Sequence, residues 1–254
     1  MNLEKERSVL IEASKKASKI LKKYYGSNKF RQKSNKTLVS MADIEANKAI
    51  ISTIKKKFPE HTILSEETGL EDNKSDFKWV IDPVDGTHNY LRQIPIFGSS
   101  IALEYKNEIV LGILDFPALR LTAIAEKNKG AFLNGKRIQV SGKNELDHSI
   151  LLVEFSYSKR PEKVKFMEKL VNTTIDMRYF GAIIYELLLI ANGTADGLVI
   201  YATNEWDVAA GFIMVEEAGG KITDFENKPY DFSNNQYVIS NRKLHNSFIR
   251  MIKK

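Results

Sequence analysis

Residues 79–90 read Trp79-Val80-Ile81-Asp82-Pro83-Val84-Asp85-Gly86-Thr87-His88-Asn89-Tyr90. The apolar triplet Trp79-Val80-Ile81 predicts a buried strand, cut off by Asp82-Pro83. Two aspartates stand three positions apart. Pro83 stiffens the bend between them, and Gly86 permits an open or left-handed backbone. Carboxylates spaced this way around a tight turn can converge on one point. Like charges are costly there unless a cation lies between them. Thr87 to Tyr90 can begin a helix whose free N–H groups face the same point, an arrangement suited to phosphate. The Thr87 hydroxyl can also align a water. The same residues equally fit an Asx-turn with Thr87 as an ordinary N-cap. Placement at the carboxyl end of a buried strand raises the weight of the ligand reading, since α/β proteins bind ligands at such ends.

Further carboxylates extend the pattern. Thr62–Ser65 predicts a short strand that runs into Glu66-Glu67. Glu66 projecting back toward the Asp82 turn supplies a third acidic group, whereas Glu67 reads as surface charge. Asp207 precedes a small-residue helix in Trp206-Asp207-Val208-Ala209-Ala210-Gly211 and is either its N-cap or a metal ligand. Asp43, at the head of another predicted helix, carries the same ambiguity. Oxygen donors without nearby Cys or His describe magnesium or manganese better than zinc.

Composition narrows the classes. The chain has 254 residues, 43% of them hydrophobic and 28% charged, which excludes wholesale disorder. No apolar run approaches about 18 residues, so no membrane span is expected. MNLEKER has no apolar stretch behind it, so no secretory signal is expected. The chain has no cysteine, which excludes disulfides, Cys-ligated metals and a thiol nucleophile, and fits a cytoplasmic location. The formal net charge of +6 comes from widely spread lysines without interleaved aromatics. A nucleic-acid partner is therefore not expected. The basic run Lys29–Lys36 reads as part of a polar loop, Ser27 to Thr37, able to close over an anionic substrate.

Residues 3–25 predict an amphipathic helix with Val9, Leu10, Ala13, Ala17, Ile20, Leu21 and Tyr24 on one face. Asp43–Phe58 predicts a second helix, stopped by Pro59. Residues 70–77 read as surface loop. Phe97–Phe116 reads as a hairpin around Lys106-Asn107-Glu108, and further strands are expected at Leu121–Ala125 and Ala131–Val140, turning at Asn134-Gly135. Strands at Ser149–Phe155, Ile175–Tyr179, Leu198–Tyr201 and Tyr237–Ile239 then alternate with helices at Pro161–Leu170, Gly181–Ala191, Val208–Ala218 and His245–Ile252. This order predicts an α/β chain divided near residue 141. Residues 1–140 would form an α+β domain with most of the carboxylates, and 141–254 an α/β domain with Asp207.

These segments together resemble the inositol monophosphatase family of lithium-sensitive, magnesium-dependent sugar phosphatases. The matching pieces are Leu38-Val-Ser-Met-Ala-Asp43, Ser65-Glu66-Glu67, Asp82-Pro-Val-Asp-Gly-Thr87 with Asn89-Tyr90, Lys129-Gly-Ala-Phe-Leu-Asn-Gly135, Trp206-Asp-Val-Ala-Ala and Glu217-Ala-Gly-Gly220. The resemblance covers essentially the whole chain. It implies a layered αβαβα sandwich, two or three magnesium ions (manganese as a substitute) and a homodimer. Glu66, Asp82 and the Val84 carbonyl would hold one ion; Asp82, Asp85 and Asp207 a second; Glu66 would help hold a third. Gly86 and Thr87 would bind phosphate, with Asp85 and Asp207 also facing substrate, and Thr87 with Asp43 would activate water. The implied activity is hydrolysis of small sugar or polyol phosphate monoesters, inositol monophosphate first. Fructose 1,6-bisphosphate is the alternative, and 3′-phosphoadenosine 5′-phosphate a more distant one. Many members have an acidic residue, and some archaeal-type members arginine, seven positions before the Trp-Asp aspartate. This chain has Ile200, with Tyr201, Asn204 and Glu205 as polar substitutes nearby and Arg178 as a candidate partner or substrate contact.

Overall fold

A computed structural model describes residues 2–27, 30–32, 38–155, 164, 168 and 175–253. The elements are α1 (Glu4–Tyr24), β1 (Phe30–Gln32), β2 (Leu38–Ser40), α2 (Met41–Lys55), β3 (Thr62–Ser65), β4 (Gly69–Glu71), β5 (Phe77–Asp85), α3 (Thr87–Leu91), β6 (Gly98–Tyr105), β7 (Glu108–Phe116), β8 (Leu121–Glu126), β9 (Gly130–Leu133) and β10 (Lys136–Arg137). They continue with β11 (Ile150–Glu154), β12 (Asp176–Arg178), α4 (Ile183–Ala191), β13 (Gly197–Ile200), α5 (Glu205–Glu217), β14 (Gly220–Thr223), β15 (Tyr237–Asn241) and α6 (His245–Lys253).

Side-chain alternation along the strands dictates the layers, because successive residues of a strand face opposite sides of its sheet. In β5, Trp79 and Ile81 pack with Leu10, Leu21, Ile50 and Ile54 of α1 and α2. Val80, between them, packs on the opposite face with Ala209, Ala210 and Ile213 of α5 and Leu187 of α4. The second sheet repeats the pattern. Leu152, Leu198 and Ile239 face α4 and α5, while Leu151, Val153, Val199 and Val238 face Phe248 and Ile249 of α6. The result is an αβαβα sandwich, the fold that the sequence resemblance implies. The largest apolar cluster mixes side chains from both sheets, because α4 and α5 are covered on both sides. That is why their sequences are apolar almost all round. At Gly211 of α5 there is no room for a Cβ against Leu187, so this glycine permits the close approach of α4 and α5.

The first sheet has the order β10-β9-β8-β7-β6-β5-β3-β4, and the second β12-β11-β13-β15-β14. The β3–β5 pair is parallel, so both strands deliver their carboxyl ends to one edge of the fold. β11 and β13 are likewise parallel. The two-residue turn between β6 and β7 uses left-handed Lys106 (φ 51°) and Asn107 (φ 63°), and Asn134 (φ 48°) with Gly135 (φ 79°) closes the β9–β10 hairpin.

Several expectations are corrected. β5 does not stop at Asp82-Pro83 but continues to Asp85, with a register shift between Asp82 and Asp85. The shift accommodates Pro83, which has no N–H to give to the ladder. β1 lies inside the expected Ser27–Thr37 loop and pairs with β2. Residues 28–29 and 33–37 lie outside the described residues. β4 occupies the start of the expected loop at 70–77, as a three-residue edge strand. The second helix ends at Lys55, and Phe58 stacks instead on His61 beyond it. α5 begins three residues earlier than expected, at Glu205, behind an Asn204 cap. Strand β14 was not anticipated. The helix expected at Pro161–Leu170 falls almost wholly outside the described residues.

Candidate functional site

Strand pairing builds the acidic centre. Ser65 of β3 is the register partner of Ile81, and the Glu66 N–H donates to Ile81 O at 3.1 Å. Glu66 is thereby fixed beside Asp82, and its negative charge reaches the Asp82 carboxyl. Glu66 and Glu67 are both half-buried, so Glu67 is less exposed than a surface charge. Asp82 and Asp85 are buried. Asp82 Oδ1 accepts the Val84 N–H at 2.9 Å. The Asx-type turn is therefore real, and Asp82 at the same time feels the charges of Glu66, Asp85 and Asp207. Asp85 Oδ2 accepts the Ile184 N–H at the head of α4, at 3.3 Å.

Gly86, with φ 77° and ψ 38°, is the N-cap of α3, so Thr87 is its first residue and not the cap. A Cβ at Gly86 would lie 2.9 Å from Ile96 O and 3.0 Å from the Ala182 Cβ. Both backbone angle and space therefore demand glycine. The Thr87 hydroxyl donates to Val84 O at 3.1 Å.

Asp207 is likewise not an N-cap. Asn204 holds that position, and Asp207 is the third residue of the helix, reaching back to the Asn204 N–H at 2.8 Å. Its Oδ2 also accepts from Thr203 Oγ1 at 3.0 Å and Asn204 Nδ2 at 3.2 Å. Asp43 is buried in the first turn of α2, within electrostatic reach of Tyr90 in α3.

Burial and mutual repulsion raise the pKa values of this group, making its carboxyls weaker acids than usual. Burial is the largest cause for Asp82, followed by the charges of Glu66, Asp85 and Asp207, and its pKa lies well above the usual carboxylate range. Asp85 is raised in the same way, by burial and then by Asp207. Burial lifts Asp207 to about 6, with its hydrogen bonds to Asn204 and Thr203 opposing. These shifts bring Glu66, Asp82, Asp85 and Asp207 into one electrostatic neighbourhood.

The donors suit a hard divalent cation. They are all oxygen, they are buried, and their charges repel. Ser100, the register partner of Asp82, adds a buried hydroxyl that has no hydrogen-bond partner among the described residues. Among the described residues, no cationic side chain is ion-paired with Asp82, Asp85 or Asp207. Nor do three or more Asp, Glu or His side chains stand ready-made to hold an ion. Each of the three aspartates also accepts N–H or O–H donors: Asp82 from Val84, Asp85 from Ile184, and Asp207 from Thr203 and Asn204.

Ile200 is fully buried and offers substrate nothing polar. Of the nearby substitutes, Asn204 caps α5, and Glu205 is ion-paired with Lys78 at 2.8 Å. Arg178 is exposed, donating to its neighbour Met177 O, and Tyr201 is buried against Phe155 and Phe225. Two buried acids whose charges reach Asp85 are not among the residues singled out in the sequence. Glu154, at the end of β11, is the register partner of Ile200, and its charge reaches Asp85 and Asp207. Glu186 is fully buried in α4. The signal for Glu186 was available, as a lone carboxylate in the apolar run Ile183–Ala191. Glu154 had none, since only strand pairing brings it here.

No described helix is long and apolar enough to cross a membrane. A sequence model described as the inositol monophosphatase family matches residues 2–254. A Thermotoga maritima protein named fructose-1,6-bisphosphatase/inositol-1-monophosphatase is 35% identical over 221 residues, covering 85% of this chain and 83% of that one. An inositol-1-monophosphatase of Mesorhizobium japonicum is 31% identical over 254 residues, covering 97% and 96%. Among solved structures, the extragenic suppressor protein suhB of Bartonella henselae superposes with a TM-score of 0.93 at 30% identity, covering 98% of each chain.

Proposed function

The chain belongs to the inositol monophosphatase family, and from that premise we propose that it is a magnesium-dependent phosphatase of small sugar or polyol phosphate monoesters, with inositol monophosphate its foremost substrate. The observation that carries this reading is the burial of Asp82, Asp85 and Asp207 at one place, each with its pKa raised by burial. A divalent cation resolves that frustration and is what phosphoryl transfer needs.

Glu66, Asp82, Asp85, Asp207 and the Val84 carbonyl are the groups that would hold the ions. Bound there, magnesium would supply charge neutralisation for the phosphoryl oxygens and a lowered pKa for water. The chain's own residues do the rest. The Gly86–Thr87 turn presents backbone N–H groups to the phosphate. Thr87 Oγ1, now donating to Val84 O, would orient the attacking water together with Asp43, and the proton would end on the Asp43 carboxylate. Asp85 and Asp207 face the substrate side. No side-chain nucleophile is needed, because water attacks directly. Manganese is an acceptable substitute, since it also prefers oxygen ligands. We also place the protein as a homodimer, which sedimentation tests.

A second reading is fructose 1,6-bisphosphatase activity, supported by the dual name of the 35%-identical relative. A panel of myo-inositol 1-phosphate, fructose 1,6-bisphosphate and 3′-phosphoadenosine 5′-phosphate, with added magnesium, separates the readings. The reading expects turnover that stops in excess chelator and in Asp85→Asn. Full activity in either condition refutes it.

A further inference from the structure

The acidic turn leans on one short segment of the other half of the chain. Asp85 Oδ2 accepts from the Ile184 N–H at 3.3 Å. Gly86 packs on Ala182, so closely that a Cβ would come to 3.0 Å of the Ala182 Cβ. Asn89 Nδ2, in α3, donates to Phe180 O at 2.8 Å and Ile96 O at 2.9 Å, with Gly181 O at 3.4 Å. Residues 180–184 are therefore the wall against which Asp85, Gly86 and α3 are set.

The shape of that wall depends on one side chain. Gly181 turns through a left-handed conformation, φ 66°, before α4 begins. Glu186 Oε1 reaches back across this turn and accepts the Phe180 N–H at 2.8 Å. The N–H of Phe180 is thus tied to Glu186 while its carbonyl is tied to Asn89. Glu186 is fully buried, and its Oε2 has no hydrogen-bond partner among the described residues. A carboxylate in an apolar helix costs stability, so its retention needs a reason beyond filling space. The bond to Phe180 supplies one.

We propose that Glu186 is a positioning residue which, through Phe180 and Asn89, holds the Gly86–Thr87 turn in the geometry that receives the phosphate group. The proposal rests on the phosphatase reading above. It assigns Glu186 no contact with substrate or metal. Its effect passes through an acceptor oxygen, so the amide of glutamine can replace it.

The test uses the full chain with magnesium and inorganic phosphate as the probe. KM, kcat, inhibition by phosphate and the magnesium-induced rise in Tm are measured for Glu186→Ala, Glu186→Gln, Asn89→Ala and the double alanine variant. Misplacing a phosphate-binding turn weakens binding strongly, so both single alanine variants should raise KM and the phosphate inhibition constant by about tenfold or more. Their magnesium-induced rise in Tm should remain. Glu186→Gln should stay close to the wild type, and the double variant should be no worse than the more impaired single one. Wild-type phosphate affinity in folded Glu186→Ala overturns the proposal. So does Glu186→Gln as impaired as alanine, since charge rather than an acceptor would then matter, and so do additive effects in the double variant. Should Glu186→Ala fail to fold, Asn89→Ala decides, because its side chain is only half-buried; unchanged KM there refutes the relay. A wild type that neither hydrolyses the esters nor responds to phosphate removes the phosphatase reading itself and this proposal with it.

Discussion

Replacing Asp207 with asparagine should stabilise the metal-free protein while destroying its function. Burial holds the Asp207 pKa at about 6, against an ordinary value of 3.8. The folded chain therefore binds a proton that the unfolded chain releases. Below the unfolded pKa both states are protonated and the carboxylate imposes no penalty. As pH rises through 3.8 and on past 6 the penalty grows, and above that it is constant. A shift of about two units corresponds to roughly 3 kcal/mol above pH 7, with about half of it present near pH 5. Asparagine removes the charge but keeps an oxygen to accept the Asn204 N–H, so the cap of α5 survives. In chelator at pH 8 the variant should unfold roughly 6–12 °C above the wild type, shrinking to almost nothing near pH 4. Adding magnesium should raise the Tm of the wild type more than that of the variant, which keeps only the Glu66–Asp82 ion. An Asp207→Asn protein that is less stable than wild type in chelator at pH 8, or that keeps the full response to magnesium, refutes the reasoning.

Gly86→Ala forces a side chain into φ 77° and against Ile96 O; it should cost about 1–3 kcal/mol in denaturant unfolding and abolish turnover. His245 is buried between Ser240 Oγ and Thr223 Oγ1, each at 2.9 Å, and burial presses its pKa down to about 4. Because the unfolded chain takes the proton first, stability present above pH 6.5 should fall as pH drops toward 4, by up to about 3 kcal/mol; His245→Gln should flatten that limb of an equilibrium pH profile. Lys78 lies between Glu104 at 2.9 Å and Glu205 at 2.8 Å, joining β5, β6 and the head of α5. Lys78→Ala should lower stability by about 2 kcal/mol, since two largely buried carboxylates are left facing each other, and adding Glu104→Gln with Glu205→Gln should restore it.

How much of this was legible in the sequence depends on the range of the interaction. The amphipathic face of α1 and the Lys106-Asn107 and Asn134-Gly135 turns are local patterns, and each forms where expected. The end of β5 was misplaced because proline usually breaks a ladder, whereas here a register shift carries the strand past it. At Asp207 the capping preference pointed to the wrong residue. Asn204 takes the cap, and Asp207 is the acid three positions inside that answers it. That single change points its carboxylate into the fold and leaves it near Asp85. Glu66 and Asp82 meet through parallel pairing of β3 and β5, which their placement directly after strands suggests but cannot fix. Glu154 lay beyond any local rule, because its neighbour Ile200 is 46 residues away in the chain and adjacent only in the β11–β13 pair.

Diffraction from crystals soaked in manganese, recorded where that metal scatters anomalously, addresses the carboxylate centre most directly. Anomalous density is expected enclosed by Glu66, Asp82, Asp85 and Asp207, with the peak between Asp82, Asp85 and Asp207 lost in Asp85→Asn crystals grown the same way. A saturating soak that leaves this place without density, in a crystal whose packing keeps it open to solvent, contradicts the account.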